Sequence, residues 1–143
     1  MKRYLNPRAR HYSIQSKLEA GVVLTGAEVK SVKTRGIQLG GALVQIKEGE
    51  VFLTNAVIAP YTFARQPDYE PGSPRKLLLK EKEIAQLLTQ RKKKLTIVPV
   101  ACYNKRGWIK VQLGIGKLKR KKDRKRELIK KQTEKDIKRQ IRG

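Results

Sequence analysis

Positive charge is concentrated at the carboxyl end of this chain, and that concentration limits how the chain can fold. Fourteen of the 35 Lys and Arg residues lie in residues 116–143, accompanied by only four acidic residues. The formal net charge of +23 divides into +10 for residues 116–143 and +13 for residues 1–115. A packed core cannot hold such a segment, because burying unpaired charge is costly. We therefore expect a folded domain over residues 1–115 and a basic tail over residues 116–143.

The body is basic as well as the tail, and this favours a polyanionic partner. Repulsion at this net charge destabilises a compact state unless a polyanion neutralises it. A nucleic-acid backbone is the first candidate, an anionic membrane the second and an acidic protein the third. No apolar run approaches the ~18 residues of a membrane span, and the basic start MKRYLNPRAR lacks the apolar segment of a secretory signal. The single cysteine, Cys102, suits a reducing cytoplasm.

Local patterns in the first half of the chain predict a strand, a helix and a hairpin. Residues 11–25 mix polar and β-branched side chains and predict a strand. Thr25 and Glu28 have capping-box spacing and Gly36 supplies a stop, which predicts a helix of two to three turns. A hairpin is predicted where two runs rich in β-branched residues flank Gly49, namely Ala42–Ile46 and Val51–Ile58.

The second half predicts a loop, a helix and a longer hairpin. Residues 59–76 hold four prolines and predict a long loop. A helix follows, with one apolar face formed by Ile84, Leu87 and Leu88. The segments LTIVPVACY and WIKVQLG then flank NKRG as a hairpin, and Pro99 indicates an edge or a bulge. The second strand alternates, with Ile109, Val111 and Leu113 on one face and Trp108, Lys110 and Gln112 on the other.

These elements favour a mainly β fold. Short strands in hairpins within a small domain are typical of a small closed antiparallel barrel of the oligonucleotide-binding type. About two to three short helices and the basic C-terminal tail complete the expected architecture.

The sequence has few side chains that could act in catalysis. His11 is the only histidine, and no nucleophile or paired carboxylate accompanies it. The acidic residues lie mostly next to Lys or Arg, and no spacing suggests a metal site. The sequence therefore predicts a binding protein with no catalytic activity and no cofactor.

Basic clusters mark the expected binding surface. They are Arg8/Arg10, Lys30/Lys33/Arg35, Arg75/Lys76, Arg91–Lys94, Lys105/Arg106/Lys110 and the tail. Such clusters position a phosphate backbone without reading its sequence. Trp108 either stacks on an RNA base or is a half-buried residue of the barrel.

Four longer segments carry a resemblance to a known family. EAGVVLTGAEVKSVK, IAPY, EPGSPRKLLLKEKEI and LTIVPVACYNKRGWIKVQLG stand in the order and spacing of small protein B, the tmRNA-binding (SsrA-binding) protein family. The similarity covers roughly residues 6–130, and LTGAEVKS and PRKLLL are its most specific strings.

The resemblance implies both a fold and a role. It implies an oligonucleotide-binding-like barrel that binds the tRNA-like domain of tmRNA at its elbow. It also implies delivery of alanyl-tmRNA, with elongation factor Tu, to stalled ribosomes, so that incomplete peptides are tagged for degradation. The tail is then expected to be disordered when free and helical in the mRNA channel of the ribosome, near the decoding centre. A cytoplasmic monomer is expected.

The resemblance also selects residues. Glu19, Leu78 and Lys110 match family positions associated with tmRNA binding, and His11 closes the N-terminal basic motif. Leu78 is equally compatible with a plain core position. With the basic clusters, the candidate RNA-binding residues are His11, Glu19, Lys33, Arg35, Arg75, Lys76, Leu78, Lys105, Lys110, Lys117, Lys119, Arg120, Asp123, Arg124 and Lys125.

Some positions depart from the family pattern. Pro7 replaces a usual basic residue, Arg35-Gly36 inverts a Gly-basic pair, and Ser73 replaces an Arg. Gly41 and Leu43 stand where an acid and an aromatic are common. The alternative interpretation of the chain is a basic ribosomal protein whose barrel and tail bind ribosomal RNA.

Overall fold

The computed structural model describes residues 3–120, in which seven strands form one antiparallel sheet. The strands are β1 (Tyr4–Leu5), β2 (Tyr12–Val22), β3 (Leu43–Lys47), β4 (Glu50–Thr54), β5 (Arg75–Leu78), β6 (Thr96–Lys105) and β7 (Trp108–Leu118). A 3₁₀ helix (Pro7–His11), α1 (Gly26–Arg35) and α2 (Glu81–Lys92) complete the fold. The expectation of a mainly β domain with a few short helices is confirmed.

The sheet is curled, and its closure stays a prediction. Its strand order is β1-β6-β7-β2-β5-β4-β3, so β1 and β3 are the end strands. The β3 strand comes close to β6, which places the two ends of the order near each other. Within residues 3–120, the pairing between strands does not join β3 to β1 or β6.

The β7 strand organises the sheet, because it pairs with β6 on one side and β2 on the other. Its predicted alternation is confirmed: Ile109, Val111 and Leu113 are buried in the core, while Trp108 on the other face is exposed. Antiparallel partners share a face, so this one alternation also fixes which residues of β2 and β6 point outward.

The sheet pairing continues beyond Ile115, where the tail was expected to begin. The β7 strand runs to Leu118, and Gly116 pairs with Thr96 on one side and Ile14 on the other. A Cβ built on Gly116 would lie 2.0 Å from the carbonyl oxygen of Ser13, so only glycine allows this approach. The apolar alternation therefore ends before the strand does. This explains why the sequence pattern placed the boundary between domain and tail before the end of β7.

Pro99 lies at the predicted bulge, although β6 is an interior strand. The register between β6 and β7 shifts between Pro99 and Ala101. Asn6 covers the irregular stretch: its backbone N–H donates to the Val100 carbonyl at 2.9 Å, and its side-chain amide donates to the Pro99 carbonyl at 2.7 Å. The bulge thus keeps its backbone oxygens satisfied despite the missing proline N–H.

The predicted capping box of α1 is confirmed. The Thr25 hydroxyl accepts from the Glu28 N–H, and the Glu28 carboxylate accepts from the Thr25 N–H at 3.0 Å. Gly36 ends the helix at a φ of 91°, where a Cβ would also lie 2.5 Å from Cε1 of Tyr4. Both facts require glycine at this position.

The segment before α2 forms a strand that the sequence pattern did not separate from the helix. The β5 strand, Arg75–Leu78, is inserted between β2 and β4. On α2 the apolar face is narrower than predicted, since Leu87 is buried but Leu88 is 41% exposed.

Arg75 forms a buried ion pair with Glu28 and is not a surface residue. Its Nη2 lies 2.8 Å from Glu28 Oε2, and the side chains are only 3% and 8% exposed. The guanidinium also donates to the carbonyls of Ala56 at 2.7 Å and Ser73 at 3.0 Å, and to the Tyr69 hydroxyl at 3.1 Å. The prediction that Arg75 contacts RNA does not fit this position, because its donors face inward and are occupied. Arg75 instead joins α1 to β5 and to the loop before it.

We expect Arg75→Met to lower the free energy of unfolding by about 3–5 kcal/mol, because it leaves the Glu28 carboxylate buried without its partner. Glu28→Gln in the same chain should recover part of that loss, since the amide keeps the capping hydrogen bond without a charge. Denaturant unfolding at neutral pH measures both. Equal stability of Arg75→Met and the unmodified chain would contradict this assignment.

The same pair should give a pH signature. Burial raises the pKa of Glu28, but the hydrogen bond from the Thr25 backbone and the Arg75 guanidinium outweigh it, and the net shift is downward. A lowered pKa stabilises the fold above the ordinary value of about 4.3, and this stabilisation is lost as the pH falls through the folded-state pKa. The stability difference between the unmodified chain and Arg75→Met should therefore shrink below about pH 4.

Candidate nucleic-acid interface

The strongest candidate surface is the side of the sheet that points away from the core, here called the outer face. Cross-strand pairing places Gly21 opposite Lys110, Glu19 opposite Gln112, and Tyr103 opposite Lys110. Leu78 of β5 stands opposite Gly21. The outer face includes Glu19, Gly21, Lys76, Leu78, Tyr103, Lys105, Trp108, Lys110 and Gln112.

One row of the outer face combines an exposed apolar side chain with a cation. Leu78, Gly21, Lys110 and Tyr103 lie side by side on β5, β2, β7 and β6. A Cβ added to Gly21 would lie 3.5 Å from Leu78 Cδ1 and 3.7 Å from Lys110 Nζ, so these two groups flank the gap that the glycine leaves. Leu78 is 55% exposed, which settles it as a surface residue and not part of the core.

Glu19 is held in place beside this row. The Tyr103 hydroxyl donates to Glu19 Oε2, and Lys105 Nζ donates to Oε1 at 3.3 Å. The hydrogen bond from Tyr103 and the charges of Lys105 and Lys110 keep the pKa of Glu19 below its ordinary value. Burial and the Glu19 contact raise the pKa of Tyr103 to about 12. Near neutral pH, therefore, an ionised carboxylate accepts from a protonated hydroxyl.

A carboxylate has about four acceptor positions, and Tyr103 and Lys105 occupy only part of them. The remaining lone pairs can accept from a base amino group or a ribose hydroxyl. Glu19 also orients Lys105, whose Nζ donates to its carboxylate.

Arg3 extends the outer face from the amino-terminal side. Its guanidinium lies over the Tyr103 ring, 5.0 Å from the centroid, and Nη2 donates to Gln112 Oε1 at 2.9 Å. A guanidinium fixed in this way loses little rotamer freedom when it binds a phosphate. Arg3, Tyr103 and Gln112 were not among the residues selected from the sequence. The alternation of β7 was the signal that could have identified Gln112.

Trp108 lies at the rim of a groove next to this row. The groove has a volume of about 310 Å³, and its lining includes Gly21, Val23, Leu78, Trp108 and Lys110. Trp108 is 70% exposed, so of the two possibilities left open by the sequence the half-buried one is wrong. The groove therefore offers an indole ring and a leucine side chain beside a lysine.

A second group of candidates lies at the far end of β7. The Lys119 N–H donates to the His11 carbonyl at 2.8 Å, and Leu118 pairs with Tyr12. This places His11 near Lys117, Lys119 and Arg120, at the opposite end of β7 from Lys110. Lys110 and Lys117 are seven residues apart on β7, about 23 Å at ~3.3 Å per residue, so the structure does not bring the two groups together.

The remaining candidates lie on α1 and at another point of the outer face. Lys33 and Arg35 are exposed on α1. Lys76 is exposed on β5, two residues before Leu78 on the same side of the sheet, and pairs with Glu50, at 3.1 Å between Nζ and Oε1. Such an exposed pair contributes about 0–1 kcal/mol and can reopen for a phosphate. Asp123, Arg124 and Lys125 lie outside the described residues.

Cys102 is fully buried, and burial raises the pKa of its thiol to about 12. It therefore packs as a small apolar residue. Within residues 3–120, no three His, Cys, Asp or Glu residues gather as a possible metal site. None of the helices in that range is long and apolar enough to cross a membrane.

Comparison with known proteins gives one consistent result. The family described as SmpB protein matches residues 4–143. An SsrA-binding protein of Streptococcus thermophilus is 45% identical over 140 residues, which are 96% of this chain and 91% of the relative. That of Streptococcus mutans is 42% identical over 138 residues, 95% of this chain and 89% of the relative.

A solved structure agrees with the sequence matches. It is described as "tmRNA-SmpB: a journey to the center of the bacterial ribosome". One of its chains superposes with a TM-score of 0.68 at 39% identity, and the match covers 85% of this chain and 87% of that chain.

We expect Tyr103→Phe to raise the pKa of Glu19, because the substitution removes the hydroxyl that stabilises the ionised carboxylate. Lys105→Met should raise it less, since that pair is more exposed to solvent. Carbon-13 NMR titration of labelled glutamate side chains measures each value, with Tyr12→Phe as the matched control. A Glu19 titration unaffected by Tyr103→Phe would show that the hydroxyl does not hold the carboxylate in solution.

Proposed function

The chain belongs to the SmpB protein family, and from that premise we propose that it binds the tRNA-like domain of tmRNA and acts in trans-translation. In this role it delivers alanyl-tmRNA to stalled ribosomes, which are rescued while their incomplete peptides are tagged for degradation. It works as a binding protein and not as an enzyme.

The observation that carries this proposal is the outer face. The family resemblance selected Glu19, Leu78 and Lys110 separately along the chain, from strands β2, β5 and β7. Gly21 pairs with both Leu78 and Lys110, and Glu19 lies two residues before Gly21 on the same face of β2. Three positions far apart in sequence would not be expected to meet on one surface unless that surface had a shared role.

The chemistry of the outer face suits a folded RNA. Lys105, Lys110 and Arg3 supply cations for phosphates, and this part of the binding depends on salt. Leu78 and the Trp108 ring can pack on bases that have left the helical stack, as they do in the loops of a tRNA-like elbow. Glu19 then discriminates among the groups that are presented next to them.

We propose that the other end of β7 serves the ribosome. His11, Lys117, Lys119 and Arg120 lie where the chain leaves the described domain, and the tail beyond them carries further Lys and Arg residues. The tail enters the vacant mRNA channel and becomes helical there, when ribosomal RNA neutralises its charge. Asp123, Arg124 and Lys125 belong to this contact.

The protein acts in the cytoplasm as a monomer and reaches the ribosome together with elongation factor Tu. The curled sheet closes into an oligonucleotide-binding-like barrel, supported by the approach of β3 to β6. A fixed, curved sheet would keep the outer face rigid when it meets RNA.

The test is affinity for the tRNA-like domain of tmRNA against an arbitrary RNA of equal length. We expect a preference of at least about tenfold, with Lys110→Ala weakening binding and lowering the salt slope by about 0.7–0.9, as loss of one phosphate contact requires. Leu78→Ala should weaken binding without changing the salt slope. Lys82→Ala on α2 is the charge-matched control.

Two outcomes would overturn the proposal. Equal affinity for both RNAs would remove the basis for a tmRNA role. Stoichiometric recovery of the protein with purified ribosomes under normal growth would instead support the alternative, a ribosomal protein, because a rescue factor is sub-stoichiometric and rises on stalled complexes.

A further inference from the structure

The loop between β4 and β5 carries an aromatic side chain that the outer face does not use. Phe63 is 86% exposed, more than any other large apolar residue among residues 3–120. Exposing a whole phenyl ring forgoes the stabilisation that its burial would give, because burying such a side chain is worth ~1.5–3 kcal/mol. The loop nevertheless presents it to solvent.

The loop that carries Phe63 is anchored at several points. The Ala59 carbonyl accepts from the Ser31 hydroxyl of α1 at 2.6 Å, and the Tyr69 hydroxyl donates to the Ile58 carbonyl at 2.9 Å. The same hydroxyl lies against the buried Glu28–Arg75 pair. The loop is therefore fixed to α1 at both ends, and Phe63 stands on a supported turn.

The turn itself orients the ring. The Ala64 N–H donates to the Tyr61 carbonyl at 3.1 Å, and the Tyr61 N–H donates to the Gln66 side chain at 3.0 Å. Tyr61 and Phe63 meet edge to face, with centroids 5.5 Å apart and planes at 68°. Edge-to-face contact leaves the rings non-parallel, so a planar group can lie on the open face of Phe63.

One cation contacts these rings, and two more lie close to them in sequence or on the same helix. Lys30 Nζ lies 5.8 Å from the centre of the Tyr61 ring. Lys33 follows one helical turn later on α1, and Arg65 follows the aromatic turn; both are exposed. The loop's own acids, Asp68 and Glu70, lie beyond Gln66 in sequence, nearer the β5 end of the loop. We call Lys30, Tyr61, Phe63 and Arg65 the loop patch.

We propose that the loop patch binds an unpaired nucleotide of single-stranded RNA, with the base stacked on Phe63 and its flanking phosphates held by Lys30 and Arg65. Aromatic rings with adjacent cations are the usual means of holding single-stranded RNA. Charge decides the occupant, because Lys30 lies over the Tyr61 ring and Arg65 follows Phe63 by two residues. On a chain of net charge +23, these cations favour a polyanion over an apolar protein surface.

This contact is distinct from the outer face, with which it shares no residue. It rests on the proposed function only for the class of partner, RNA. A protein that bound RNA through both surfaces could hold two segments at once, one folded and one single-stranded. The combined affinity would then exceed that of either contact alone.

The experiment measures binding of the full chain to a labelled single strand of about ten adenylates and to an RNA duplex of equal length. We expect Phe63→Ala to weaken single-strand binding by about fivefold or more, because a stacked base is lost. Phe63→Tyr should keep the affinity, while Phe63→Leu should be as weak as Phe63→Ala. Thr62→Ala, at the exposed neighbouring position, is the matched control, and duplex binding should change by less than about twofold.

Several results would overturn the proposal. A loss below about fivefold, or an equal loss on the duplex, would mean that no base stacks on Phe63. Rescue by Phe63→Leu would indicate an apolar protein contact, and a selective loss of binding to vesicles rich in anionic lipid would indicate a membrane contact. The outer face is tested separately: Lys110→Ala reduces preference for the tRNA-like domain if the proposed function holds, whatever Phe63 does.

Discussion

The pairing of β7 with β2 and β6 is the constraint on which the rest of this structure depends. Side chains alternate along a strand, so a slip of one residue would move Lys110 and Gln112 into the core and Val111 onto the surface. The core fixes the register, because Ile109, Val111 and Leu113 must be buried together. The basic and polar residues of the outer face are therefore aligned by the same packing that stabilises the domain.

Two glycines and one buried ion pair then determine how neighbouring elements fit against this sheet. Gly21 leaves the gap between Leu78 and Lys110, and Gly116 lets β7 pass close to the Ser13 backbone. The buried Glu28–Arg75 pair joins α1, β5 and the loop that carries Phe63. Because one ion pair supports both the helix start and this loop, the position of the loop patch depends on the same interaction as the stability of the domain.

Much of the fold could be predicted from local signals. The capping box at Thr25, the two hairpins and the alternation of β7 each follow from a short stretch of sequence. Arg75 could not be placed in this way, since it stands beside Lys76 in a basic cluster and only the tertiary fold shows which of the two faces inward. The β5 strand was hidden for a similar reason, because four residues running directly into a helix carry no clear period.

The candidate site, like the fold, could be predicted from the sequence only in part. Family resemblance selected Glu19, Leu78 and Lys110. The residues that position Glu19 are Tyr103 and Lys105, which lie on another strand, and no local pattern could indicate these contacts. The exposure of Trp108 and Leu78 was equally open, because a large apolar side chain in a strand is compatible with either face. The contacts that give these residues a shared surface are long-range in sequence.

We propose above all that the outer face is the surface that meets the RNA. Chemical-shift mapping of the nitrogen-15-labelled chain, titrated with the tRNA-like domain of tmRNA, tests it most directly. The largest changes should fall on β2, β5 and β7 around Gly21, Leu78 and Lys110, with α2 unaffected. Changes centred on α2 or on β3 and β4, with the outer face unchanged, would contradict the account.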